Sequence, residues 1–200
     1  MHKITTDFLK AMDLNMIQKF LTITKNERIA KDVYLAILSG DTSAISAPGQ
    51  FINIKIDGLY LRRPISICDY DDKTITIIYK VVGKGTQIMS SLPIGTKLDT
   101  LVGLGNGFDV SKSDARPLLI GGGVGVPPLY NLAKKLCQKG SKPIVVLGFN
   151  SKDDVFFENE FKEFASEVYV ATADGSYGTK GFVTDVIKEK VSDYTYFYTC

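Results

Sequence analysis

Histidine is almost missing from this sequence. Its 200 residues contain one, His2, together with three cysteines and no tryptophan. One histidine at the amino terminus leaves no side chain for a buried imidazole base or a histidine-ligated metal. Cys68, Cys137 and Cys200 lie too far apart for a disulfide framework, and no two form a C-x-x-C pair. A reducing compartment, the cytoplasm, is therefore expected. No apolar run approaches the ~20 residues of a membrane-spanning helix. The opening MHKITTDFLK also lacks the apolar stretch of a signal peptide. Neither sign of charge dominates: 24 Lys and Arg stand against 22 Asp and Glu, a net of +2. That balance argues against a nucleic-acid partner, which would select a basic face.

What is present is enough apolar material, 44% of residues, for one large domain or two small ones. Two rhythms divide the chain. Residues 1–16 read as an extension, with Met16 an alternative start. Across residues 17–110, short apolar runs alternate with turn residues such as Pro48, Gly49, Asp57, Gly58, Asp71 and Asp72. Strands are predicted at 20–24, 32–39, 51–56, 61–67, 74–82 and 97–103, a set that suits a six-stranded antiparallel barrel. A short helix fits 86–92, stopped by Pro93. Residues 108–116 read as a linker. Across residues 111–200, strands at 117–120, 143–148, 167–171 and 194–199 alternate with helices near 129–137, 159–164 and 183–190. That alternation predicts a doubly wound parallel sheet. The last strand ends at Cys200, where such sheets bind ligands, so the sequence is expected to be part of a longer product.

Four segments carry candidate chemistry. Gly121-Gly122-Gly123-Val124-Gly125-Val126-Pro127-Pro128 follows a strand and opens a helix. Glycines there admit a ligand close to the backbone, and a helix start offers unpaired N–H groups to a negative group. The same turn also reads as tight strand–helix packing. Arg62-Arg63-Pro64-Ile65-Ser66 offers a guanidinium fork for phosphate and a small hydroxyl, or else an edge strand guarded by charge and proline. Ile78-Tyr79-Lys80 followed by Gly83-Lys84-Gly85-Thr86 reads either as a pyrophosphate seat with an aromatic cover or as a strand with a threonine-capped helix. Asp174-Gly175 opens a polar loop through Gly181, which reads as a nucleotide-lining loop or as a surface loop capped at the next helix by Thr184. Cys68 and Cys137 are expected to be packed, Tyr194, Tyr196, Phe197 and Tyr198 to fill the sheet, and the charges of 152–163 to face solvent.

In this order, the motifs resemble the ferredoxin–NADP reductase superfamily from about Gln18 onward. Leu61–Ile67, Pro48-Gly49-Gln50-Phe51 and Gly121–Leu129 are most similar to its branch of electron-transfer subunits of class B dihydroorotate dehydrogenases. The resemblance implies an FAD-binding barrel in which Arg63, Pro64, Ile65 and Ser66 contact the flavin and its phosphates. Ile78, Tyr79 and Lys80 would supply a second contact strand, and Gly85 and Thr86 would hold the pyrophosphate. It further implies that the α/β half takes NAD(H) over Gly121, Gly122, Gly123 and Gly125 and near Asp174 and Gly175. Cys200 would lie close to both rings, and Ser66 would touch the flavin ring. The implied partner is an FMN-containing catalytic subunit that oxidises dihydroorotate in pyrimidine biosynthesis. Relatives carry four cysteines for a 2Fe–2S cluster beyond the position of Cys200, so these 200 residues cannot assemble one. Other readings are a subunit of a different NAD(P)-linked flavin reductase or hydrogenase, or a scaffold module without redox function. The residues do not decide between NAD and NADP; Lys152 is the one nearby cation after the second strand of the sheet.

Overall fold

The computed structural model describes residues 17–200. Six strands close on themselves in the order β1-β2-β5-β4-β3-β6: β1 (Ile17–Ala30), β2 (Val33–Ser39), β3 (Phe51–Ile54), β4 (Arg63–Tyr70), β5 (Thr74–Lys80) and β6 (Lys97–Leu104). All their pairings are antiparallel. Closure leaves no free sheet edge. Period-two alternation fills the interior: Ile75, Ile77 and Tyr79 from β5 meet Ile52 and Ile54 from β3 and Leu21 and Ile23 from β1. Helix α1 (Lys84–Ser90) plugs one end with Met89.

Strand β1 runs well beyond the predicted 20–24. Lys25, Asn26 and Glu27 break the apolar alternation, yet they pair with Ile37, Ala36 and Leu35 across a register shift. Irregular pairing of this kind hides a long strand from periodicity. Strand β3 stops at Ile54, short of the predicted 56, although Ile56 is still buried.

The second half contains a five-stranded parallel sheet ordered β10-β9-β8-β7-β11: β7 (Pro117–Gly122), β8 (Ile144–Phe149), β9 (Glu167–Thr172), β10 (Thr179–Lys180) and β11 (Tyr196–Thr199). β8 is an unbroken apolar run, as a strand covered on both faces should be. Helix α2 (Pro127–Gln138) covers one face. Its prolines occupy the first turn, where no N–H is missed, and Gly140 (φ +90°) ends it. Helices α3 (Glu158–Lys162) and α4 (Val183–Lys190) follow β8 and β10. Leu129, Leu132, Ala133 and Leu136 of α2 share one apolar cluster with Val33, Cys68 and Ile78 on the outside of the barrel. α2 is thus clamped between barrel and sheet.

Several local expectations are corrected. Of the final aromatics, only Tyr198 is buried; Tyr194, Tyr196 and Phe197 are 44%, 39% and 55% exposed. They lie on or beside an outer strand with a neighbour on one side only. Cys137 is half-buried rather than in the core. Helix α4 is not capped by Thr184: the Asp185 carboxylate accepts the Phe182 N–H at 2.8 Å. Within 152–163, Asp154 turns inward, its side chain 13% exposed and paired with Lys80.

Candidate functional site

Two grooves meet at the seam between the halves. The barrel groove has about 350 Å³ of free space. It is lined by Arg63, Pro64, Ile65 and Ser66 from β4, by Ile78, Tyr79 and Lys80 from β5, and by Val82, Thr86 and Val124. Two motifs some fifteen residues apart in sequence therefore form one wall, because β4 and β5 are adjacent strands. The junction is tight. Gly85 is buried, and a β-carbon there would land on the Arg63 guanidinium. Glycine at this position is what lets the arginine lie across the start of α1.

The two arginines divide their tasks. Arg62 is committed to the protein: it donates to the carbonyls of Asn53 and Asp99 at 3.2 and 3.0 Å and pairs with the Asp99 carboxylate at 2.9 Å. Partial burial works against ionising Asp99, but hydrogen bonds from Arg62 and Gln18 hold its carboxyl below the ordinary value. Arg63 donates only to the nearby Leu61 and Arg62 carbonyls among the described residues, and its guanidinium lines the groove. The Thr86 hydroxyl accepts the N–H groups of Val82 and Gly83 at 3.0 and 3.3 Å, which stiffens the turn into α1. The expectation that the Tyr79 ring covers a flat ligand needs revision. That ring is 2% exposed, stacks on Tyr34 in the barrel and donates its hydroxyl to Asn26 at 2.9 Å. Burial pushes its phenol well above the usual value.

The sheet groove, about 260 Å³, opens at the carboxyl ends of β7 and β8. Gly122, Gly123, Val124, Gly148, Phe149, Asn150, Asp154 and Phe182 are among its walls. The glycines of the turn are not equivalent. Gly122 and Gly123 face open space, with no atom within 4 Å of where a β-carbon would sit, and Gly123 adopts φ +51°. Gly121 is buried, and a side chain there would strike Leu129 and Val126, so this glycine serves helix packing. Gly125 abuts the backbone carbonyl of Cys200. Strand order reverses between β7 and β11, so Cys200 sits at the crevice where such sheets bind ligands. Its N–H donates to Ile120 at 3.2 Å. Desolvation raises the Cys200 thiol above its usual value, which disfavours the thiolate. Asp174 and Gly175 are not in the groove. They form an exposed turn after β9, where the Asp174 carboxylate accepts from the Ser176 N–H and hydroxyl at 2.9 and 2.6 Å.

Lys80 and Val124 line both grooves. Lys80 reaches from the barrel to Asp154 of the sheet half, 3.4 Å away. Val124, 47% exposed, stands between the two openings. The sequence offered only a weak hint of its place: an apolar residue between glycines. Asp154, Phe149 and Phe182 gave no local signal at all.

A family model described as an oxidoreductase NAD-binding domain matches residues 119–200. The dihydroorotate dehydrogenase B (NAD(+)) electron transfer subunit of Fusobacterium nucleatum subsp. nucleatum is 48% identical over 191 residues, covering 90% of this chain and 73% of that protein. The chain belongs to the family of dihydroorotate dehydrogenase B electron transfer subunits. The Geobacillus sp. (strain WCH70) subunit of the same name is 46% identical, over 92% of this chain and 75% of its own length. Among solved structures, that of an NADH-dependent reduced ferredoxin–NADP oxidoreductase matches with a TM-score of 0.75 and 33% identity, over 86% of this chain and 64% of that one. The ferredoxin–NADP reductase-like fold expected from the motifs is thereby shown.

The grooves fit the dinucleotides of such reductases: on one side a hydroxyl and the Arg63 guanidinium, which meets no carboxylate among the described residues, and on the other an uncrowded glycine turn. A 2Fe–2S cluster does not fit the described residues. Cys68 is buried under α2, Cys137 lies on α2 and Cys200 at the sheet crevice, and among the described residues no three metal-ligating side chains gather. Among the described residues no helix is long and apolar enough to cross a membrane.

Proposed function

We propose that this chain carries electrons between FAD seated in the barrel groove and NAD seated in the sheet groove, beside a catalytic subunit that oxidises dihydroorotate on FMN. The carrying observation is that the two grooves share the walls Lys80 and Val124. Rings held in them lie within reach of one another. Bound flavin supplies hydride exchange with a nicotinamide and single-electron exchange with another centre.

The protein's own residues bind and orient. Arg63 grips phosphate through a paired donor set, and Gly85 keeps the space that the guanidinium needs. Ser66 donates or accepts at a ring atom. Gly122 and Gly123 let a nicotinamide nucleotide approach the backbone, and Val124 excludes water where the rings meet. Hydride exchange between a nicotinamide and a flavin moves no separate proton, so that step calls for no imidazole. Asp154, in the loop after β8, lines the sheet groove with its carboxylate balanced by the Lys80 ammonium 3.4 Å away.

Purified chain supplied with FAD should turn yellow, retain the colour through dialysis, and bleach when NADH is added without oxygen. A colourless product, or bound flavin that NADH leaves oxidised, would refute this function.

A further inference from the structure

Strand β4 carries an irregularity that neither groove requires. Ile67 pairs with Ile77, but Asp69 pairs with Thr76, so Cys68 is an extra residue opposite one step of β5. Such a bulge re-aims the side chains that follow it. Simple alternation would send Ile67 inward, Cys68 outward and Asp69 back into the barrel. Instead Ile67 packs inside, Cys68 packs under α2, and Asp69 also turns outward to α2. There one carboxylate oxygen accepts from the Asn131 amide and the other from Lys134 at 2.8 Å. Asn131 is 1% exposed, and its own carbonyl oxygen has no partner among the described residues. Leaving a buried acceptor bare is unfavourable. The Asn131 amide meanwhile stays on Asp69.

The cluster joins two elements with separate duties. Asp69 lies three residues beyond Ser66 on the strand that walls the barrel groove. Asn131 and Lys134 lie on the helix that the glycine turn opens. None of the three lines either groove. We propose that Asp69, with Asn131 and Lys134, is a positioning residue that fixes the glycine turn against the flavin-side strand and so sets how the nicotinamide lies on the flavin. This rests on the flavin-to-NAD function above.

The test uses the full chain loaded with FAD and three variants. Asp69→Ala removes both arms, Asp69→Asn keeps an acceptor for Asn131, and Lys134→Met removes the ion pair alone. Flavin per chain should equal that of the parent in all three. Flavin reduction by NADH should slow by roughly ten- to a hundredfold in Asp69→Ala, the scale of a displacement of about 1 Å between reacting groups, and less in the other two. The loss should fall in kcat more than in KM, and the long-wavelength absorbance of the stacked rings should weaken with it. A merely structural role would lower the melting midpoint and leave the rate per bound flavin unchanged; that result overturns the proposal. If Asp69→Ala does not fold, Lys134→Met decides, and a rate equal to the parent's refutes it. A parent chain that takes up no flavin overturns the underlying function, and this inference with it.

Discussion

Replacing Gly85 with alanine should separate stability from cofactor binding. Gly85 lies in the first turn of α1 with ordinary backbone angles, so alanine there costs no strain. On helix propensity alone it stabilises, by up to about 1 kcal/mol. The added β-carbon would, however, sit 2.5 Å from the Arg63 Cζ, against the roughly 3.5–4.0 Å of carbon contact. The guanidinium is the far end of a flexible side chain, so it swings aside by about 1 Å or more and the fold survives. What it loses is its place over the groove. A charge-assisted hydrogen bond contributes about 1.5–3 kcal/mol, which converts to roughly a ten- to 150-fold weaker FAD affinity. Titrating apo-protein with FAD, followed by flavin fluorescence, measures this directly, and a thermal melt of the same sample checks the fold. If Gly85→Ala binds FAD within twofold of the parent, the Gly85–Arg63 contact has no part in holding the cofactor. A melting midpoint that drops by many degrees would refute the expectation of a tolerant helix start.

Arg63→Ala should lose flavin on dialysis while melting near the parent; full retention of the flavin spectrum would remove Arg63 from the site. Arg62→Ala should do the reverse, costing about 2 kcal/mol of stability with affinity per folded molecule unchanged, as urea unfolding and FAD titration would report. The Arg62–Asp99 pair also has a pH signature. Asp99 is held below its ordinary value, so its contribution is complete above the unfolded carboxylate value near pH 4 and is lost as pH falls through the lower folded value. The stability gap between parent and Arg62→Ala should therefore narrow from pH 6 to pH 3; a constant gap would show that the ion pair does not carry it. Gly123→Val forces a branched residue into φ +51° and fills open groove. NADH should then reduce bound flavin far more slowly, with flavin content unchanged, and unaltered reduction would clear that position of any role.

The sequence disclosed those parts of the molecule whose physics is local. The run from Ile144 to Phe149, the prolines opening α2 and the glycine turn before them each rely on neighbours in the chain, and each lies close to where the residues alone put it. The groove residues of β4 and β5 were readable because their motifs are contiguous. Residues whose role depends on distant partners were not. Asp69 meets Asn131 and Lys134 from 62 and 65 positions away, through a bulge that breaks the very alternation used to place side chains. Tyr79 suits a ligand cover by type but is drawn into the barrel by the pleat and by Asn26. Asp174 has the composition of a ligand loop, yet it spends its carboxylate on its own turn.

The sandwiching of α2 bears on how such proteins can be taken apart. The outward faces of β2, β4 and β5, through Val33, Cys68 and Ile78, belong to the same apolar cluster as Leu129 and Leu136. Severing the chain between the halves would strip hydrophobic cover from each. Heat should melt both together in one transition. A chimera that exchanges the nucleotide lobe between relatives would have to import those three barrel positions along with it.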